Sequence, residues 1–160
     1  MKKKQLWFLA TSLVFLIISF IITSAMYKTG IMVKTIPNSL EEYILPILIL
    51  SVVIMYLFSL LASFCYTVII NLVSKKDKLS YSVVTSMYLI SAIIVQLLTI
   101  SYKLITNSFS SHQLVINIVG GLITNIIFVV LISTQLKLKQ YQYILILIII
   151  AIANIIIQLI

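Results

Sequence analysis

Charge is the first thing this sequence lacks. Only 9% of its 160 residues are Asp, Glu, Lys or Arg, against about 25% in an average soluble domain. The acids are Glu41, Glu42 and Asp77, and there is no arginine: all eleven basic residues are lysine. A chain so poor in charge cannot clothe a globule in water. A single cysteine, Cys65, excludes an internal disulfide framework. With a single histidine, His112, no metal-ligand spacing can be assembled, so neither a metal nor a cofactor is expected. Three glycines do not make a phosphate-binding loop, and neither H-E-x-x-H nor G-x-S-x-G occurs.

What the sequence has instead is apolar surface. Apolar residues make up 62% of the chain, mean hydropathy is +1.25, and 33 residues are Ile. Disordered chains have the opposite bias. The composition therefore predicts an all-α polytopic membrane protein. Ile and Lys in such excess suggest an AT-rich genome, such as that of a low-GC bacterium, and hence its plasma membrane.

A spanning helix needs about 20 predominantly apolar residues. Five stretches qualify: 5–27, 43–73, 79–102, 113–136 and 141–160. The connections between them cannot hold a soluble domain, so the chain is expected to be a single transmembrane bundle. Trp7, Tyr27, Tyr43, Tyr81, Tyr102, Tyr141 and Tyr143 fall near span ends, as an interfacial aromatic belt requires. Lysine placement sets the orientation. Alternate connections carry Lys2, Lys3 and Lys4, then Lys75, Lys76 and Lys78, then Lys137 and Lys139; the other side carries Lys28, Lys34 and Lys103. The N-terminus is therefore expected in the cytoplasm and the C-terminus outside. Lys2–Lys4, the following apolar run and Thr23-Ser24-Ala25 also resemble a secretory signal, but the run exceeds the usual signal core and favours an uncleaved anchor.

The second stretch is longer than a bilayer requires. Ser39-Leu40-Glu41-Glu42 has the form of a capping box, and Pro46 removes a backbone donor soon after it. Two geometries fit: a short interfacial helix from Leu40 to about Leu45 bending inward at Pro46, or one tilted helix. The turns Ser74–Lys78 and Lys137–Gln140 are so short that the helices they join should be antiparallel neighbours.

No Asp, Glu, Lys, Arg or His lies inside the five stretches. Proton relays, ion-coupled transporters and voltage sensors place such groups there, so these classes are disfavoured. A hydrolytic site would have to combine His112 with Glu41 or Glu42; the plainer reading is a helix start and a loop histidine. Cys65 reads as a small packing residue. Neutral polar residues carry more information. Asn117, Gly120, Gly121, Thr124 and Asn125 share one face of the fourth helix. Ser82, Thr85, Ser86, Ala92, Gln96 and Thr99 share a face of the third, Ser59, Ser63 and Thr67 of the second, and Ala151, Asn154 and Gln158 of the fifth. Such faces serve close helix packing. Alternatively, Gln96, Asn117, Asn125 and Asn154 form an outward-opening polar cleft. Asn125, near mid-membrane, should have a partner, with Gln96 or Asn154 the expected one. Lys2, Lys3, Lys4, Lys75, Lys76 and Lys78 are expected at anionic lipid headgroups or as topology signals. The net charge of +8 therefore does not imply nucleic acid, for which no soluble basic face exists.

Pro46 at the start of the second span, the basic turn Ser74-Lys75-Lys76-Asp77-Lys78, Tyr81-Ser82 and Tyr88 in the third, and two closely spaced final spans together resemble a bacterial Yip1-domain protein. The outline covers residues 40–160. The family's turn glycine is absent, and Ser91 stands where its third span usually has proline. The resemblance implies a five-span, non-enzymatic membrane protein that works through a partner. Eukaryotic members act in vesicle trafficking with small GTPases, and some bacterial members accompany ABC-type exporters. The expected function is accordingly an accessory or scaffold protein that binds another membrane protein or its own copies. The rival expectation is a binding or transport subunit, or a toxin-immunity protein, holding a neutral ligand in the cleft.

Overall fold

The computed structural model describes residues 2–28, 43–74, 78–106, 113–136 and 139–159. Of residues 2, 28, 104–106, 113–115, 117 and 153–159 it describes the backbone alone. These segments form five helices: α1 (Lys2–Lys28), α2 (Ile44–Ser74), α3 (Tyr81–Thr106), α4 (Gln113–Ser133) and α5 (Gln140–Leu159). No strand occurs among the described residues. Three helices are long and apolar enough to cross a membrane, within Lys3–Tyr27, Ile44–Ser74 and Tyr81–Lys103; Ile118–Ser133 and Gln140–Ile152 are shorter apolar stretches. Large apolar side chains such as Leu6, Leu13, Leu57, Phe58, Leu72 and Val130 point outward. In water that exterior would be an aggregation surface, whereas in hydrocarbon it is the proper coat.

α2 and α3 form the inner pair. α1 packs against both of them on one flank, and the α4–α5 hairpin closes the other through α3·α4 and α2·α5 contacts. Side-chain pairs fix the directions. Thr11 meets Ser86 and Ser19 meets Gln96, so α1 and α3 run parallel. Tyr66 packs on Tyr88 while Asn71 reaches Leu79, so α2 and α3 run antiparallel. Tyr143 reaches back to Leu136, closing α4 and α5 as an antiparallel hairpin. Lys3, Lys4, Lys78 and Lys139 therefore sit at one end of the bundle, all exposed; this is the lysine end.

Helix ends leave carbonyl groups that need donors. At the lysine end three side chains pair with backbone groups of helix ends and of the turns beside them. Asn71 pairs with the Leu79 backbone twice, its Oδ1 accepting from the amide at 2.9 Å and its Nδ2 donating to the carbonyl at 3.1 Å. Gln142 accepts from the Lys139 amide and donates to the Val73 carbonyl, each at 2.9 Å. That single carboxamide starts α5 and ties it to the end of α2. The Tyr143 hydroxyl donates to the Leu136 carbonyl at 2.9 Å.

Several expectations are corrected here. Over the described residues the second stretch follows the single-helix geometry: α2 starts at Ile44 with Pro46 in its first turn, and residues 40–42, where an interfacial helix is the alternative, lie outside the described residues. α2 runs for 31 residues, about 46 Å, as one helix. The capping box at Ser39–Glu42 lies outside the described residues. α3 does not stop at Tyr102. It continues to Thr106, placing Lys103 in its last turn and only 6% exposed. A lysine there suits the negative end of the helix dipole. Leu79 and Ser80 precede α3, and α4 ends at Ser133 rather than Leu136.

Candidate functional site

The polar residues that could carry function divide between two places in the bundle. The first is the seam of α1 with α3. The Thr11 hydroxyl donates to Ser86 Oγ at 3.2 Å, and the Ser19 hydroxyl donates to Gln96 Oε1 at 3.1 Å. Gln96 Nε2 in turn points at Met55 Sδ on α2, 3.6 Å away, a weak acceptor. Phe15 packs beside Tyr56, with ring centroids 6.1 Å apart. Next to the bonded pair lie two buried hydroxyls, Ser12 and Thr85, that have no hydrogen-bond partner among the described residues.

The second place is the α3–α4 contact. Gly120 lies under α3: a methyl group added there would sit 3.5 Å from Val95 Cγ1, in ordinary contact. Thr124 is buried and donates to the Gly120 carbonyl at 2.9 Å. Gly121 is half-buried. Asn125 is 1% exposed, and neither its Oδ1 nor its Nδ2 has a partner among the described residues. In a low-dielectric interior a bare carboxamide is costly, since each unmade hydrogen bond forfeits solvation with nothing in return.

Of the four residues expected to form the cleft, the side chains of Gln96 and Asn125 alone are described. Gln96 is engaged with α1 and α2, so it is not the partner of Asn125. The reason is rotational. Gln96 and Thr99 are three positions apart, and over that turn the face of α3 passes from α1 and α2 to α4. The side chains of Asn117 and Asn154 lie outside the described residues, although both positions are helical. Elsewhere, an apolar groove runs between α1 and α2.

Other sequence-derived sites fare as follows. Lys3, Lys4 and Lys78 are exposed at the lysine end. The side chain of Lys2 and the whole of Lys75 and Lys76 lie outside the described residues, as do His112, Glu41 and Glu42. Cys65 is not a packing residue but an exposed one. The inward stripe of α2 is Ser59, Ser63, Tyr66 and Ile70, at helical spacing, and Cys65 falls off it. On that stripe the hydroxyls of Ser59, Ser63 and Thr67 donate to the carbonyls of Met55, Ser59 and Ser63 at 2.7–2.9 Å. They are spent within their own helix and offer a ligand little.

Sequence reasoning missed Asn71 and Gln142. The spacing of Lys139 and Gln142 is that of the reaching half of a capping box, a signal present in the sequence. Asn71 has no comparable local signature, because its partner lies across the turn. The chain matches none of the protein-family models, curated proteins or solved structures compared with it.

Proposed function

We propose that this chain is a five-span, non-enzymatic integral membrane protein whose work is to hold or accompany another membrane protein. The observation that carries the reading is how its polar groups are used. Thr11 with Ser86, Ser19 with Gln96, Asn71 with Leu79 and Gln142 with Val73 all join one helix to another or to a turn. Polarity is invested in assembling the bundle, while the outer surface is left apolar. Such a surface is suited to lipid and to other transmembrane helices. The lysine end is assigned to the cytoplasm by the positive-inside rule, and with five spans the C-terminus faces out. The resemblance to Yip1-domain proteins supports the same reading and suggests an ABC-type exporter as the class of partner. Affinity purification from the native membrane in mild detergent tests the proposal. A stoichiometric membrane-protein partner or a homo-oligomer is expected; a monomer without a partner would overturn it. A reporter fused after Ile160 tests the topology and should be active only outside.

A second reading rests on Asn125. A buried carboxamide with neither end matched among the described residues is the kind of group that recognises a neutral hydrogen-bonding ligand. On this reading Asn125→Leu abolishes ligand binding and leaves the fold intact. On the accessory reading the same change leaves partner recovery untouched.

A further inference from the structure

The groove between α1 and α2 has a volume of about 300 Å³ and is lined by apolar side chains alone. Val52 forms its buried floor, Leu16 and Phe20 are half-buried walls, and Ile17, Ile21 and Val53 stand exposed around it. Water gains nothing there. In a bilayer such a groove, open along the side of the bundle, matches a hydrocarbon chain.

The sequence of α1 beyond the groove says which kind of chain. Residues 17, 21, 24 and 28 share one helical face, because steps of four, three and four residues return to nearly the same angle. On that face the residues are Ile17, Ile21, Ser24 and Lys28, all within α1. Toward the end opposite the lysine end, the face thus passes from apolar to hydroxyl to cation. Lys28 lies seven residues past Ile21, about 10 Å along the axis. A phospholipid has the same order over a similar length: acyl chain, ester-linked glycerol, phosphate. Glu41 and Glu42, which precede α2, lie outside the described residues.

We propose that one phospholipid molecule occupies this flank, with an acyl chain in the α1–α2 groove and its phosphate at the level of Lys28. The site requires the membrane placement of the bundle but not the partner proposed above. It makes the α1–α2 flank a lipid-filled face and leaves the outer face of α4 and α5 for protein contacts.

Native mass spectrometry of the full chain, purified from membranes in mild detergent, reads the site directly. The added probes are phosphatidylglycerol and phosphatidylethanolamine. The wild-type chain is expected to retain one phospholipid. Val53→Trp fills the groove and should lower retention of either lipid about tenfold. Lys28→Gln should lower it about fivefold, from about 1 kcal/mol per lysine at a lipid surface. Ile126→Trp, on the exposed face of α4, should change nothing. Should V53W fail to fold by circular dichroism, the smaller Val53→Phe takes its place. Retention by the groove variant equal to wild type, equal loss in I126W, or a wild-type chain that carries no lipid would each overturn the site. Recovery of the chain in the washed membrane fraction is scored in parallel, so that loss of the site is not mistaken for loss of membrane placement.

Discussion

The seam between α1 and α3 and the cluster shared by α2, α3, α4 and α5 are both buried, yet opposite chemistry fills them. At the seam the contacting side chains are small and polar: Thr11, Ser12, Ser19, Thr85, Ser86 and the longer Gln96. In the cluster they are large and apolar: Tyr66, Ile70, Val84, Phe128, Ile132, Ile146 and Ile150. Three rings meet at its centre. Tyr66 lies 5.4 Å from both Tyr88 and Phe128, and Tyr88 meets Phe128 edge-on at 5.7 Å. Each spacing falls in the range where tilted rings attract. In lipid, apolar side chains gain little by leaving the hydrocarbon, so the cluster is held by close packing and the seam by directional bonds. The cluster supplies cohesion and the seam supplies register.

That contrast can be broken most forcefully at Phe128. Phe128→Ala removes the ring that touches both tyrosines and should cost about 3–5 kcal/mol, the usual range for a buried aromatic truncated to alanine. Equilibrium unfolding in a mixed-micelle series would measure it. A loss below that of a seam substitution would reverse the ranking of the two regions. Asn125 should change stability in the other direction. Asn125→Leu replaces a carboxamide with no partner among the described residues by a side chain that needs none, with an expected gain of about 1 kcal/mol in the same assay. A loss instead would mean that the carboxamide is bonded within the bundle as helix-packing glue, which counts against the ligand-binding reading. Gln142→Ala frees the Val73 carbonyl and the Lys139 amide together, and the cost should be near that of a lost helix cap, about 1 kcal/mol. Hydrogen exchange should then rise at the start of α5 and at the end of α2, and not along α1.

Much of the fold was legible because lipid imposes a simple rule on sequence. Apolar runs between lysines mark helices, since a spanning backbone must satisfy itself. The five helices fall within a few residues of those runs. The adjacency of α2 with α3 and of α4 with α5 follows from turns too short to reach elsewhere. Helix rotation was harder to read. A helical wheel groups Ser86, Gln96 and Thr99 on one face of α3, but that face is wide enough to touch three helices. Ser86 meets α1, Gln96 meets α1 and α2, and Thr99 approaches α4. The wheel identifies the face; which neighbour each residue meets depends on how the helices are arranged, and that is a long-range property. Pro46 left two geometries open for a related reason: its effect depends on where the helix starts, and the cap residues of this sequence fit either geometry.

The smallest expected effect gives the sharpest test of the seam. Ser19→Ala deletes one hydroxyl, and with it the bond to Gln96 Oε1. Interhelical hydrogen bonds in membranes average about 0.6 kcal/mol, because the separated helices find other partners. The single change alone cannot distinguish that bond from lost packing. A double-mutant cycle with Gln96→Leu can, since the packing terms cancel and the coupling remains. A coupling of about 0.6 kcal/mol is expected. Gln96→Leu alone should cost more than Ser19→Ala, because it also removes the contact with Met55. Zero coupling would show that the two side chains are merely adjacent. The parallel register of α1 on α3 would then rest on Thr11 and Ser86 alone, and Thr11→Ala should loosen α1 from the bundle while leaving the aromatic cluster intact.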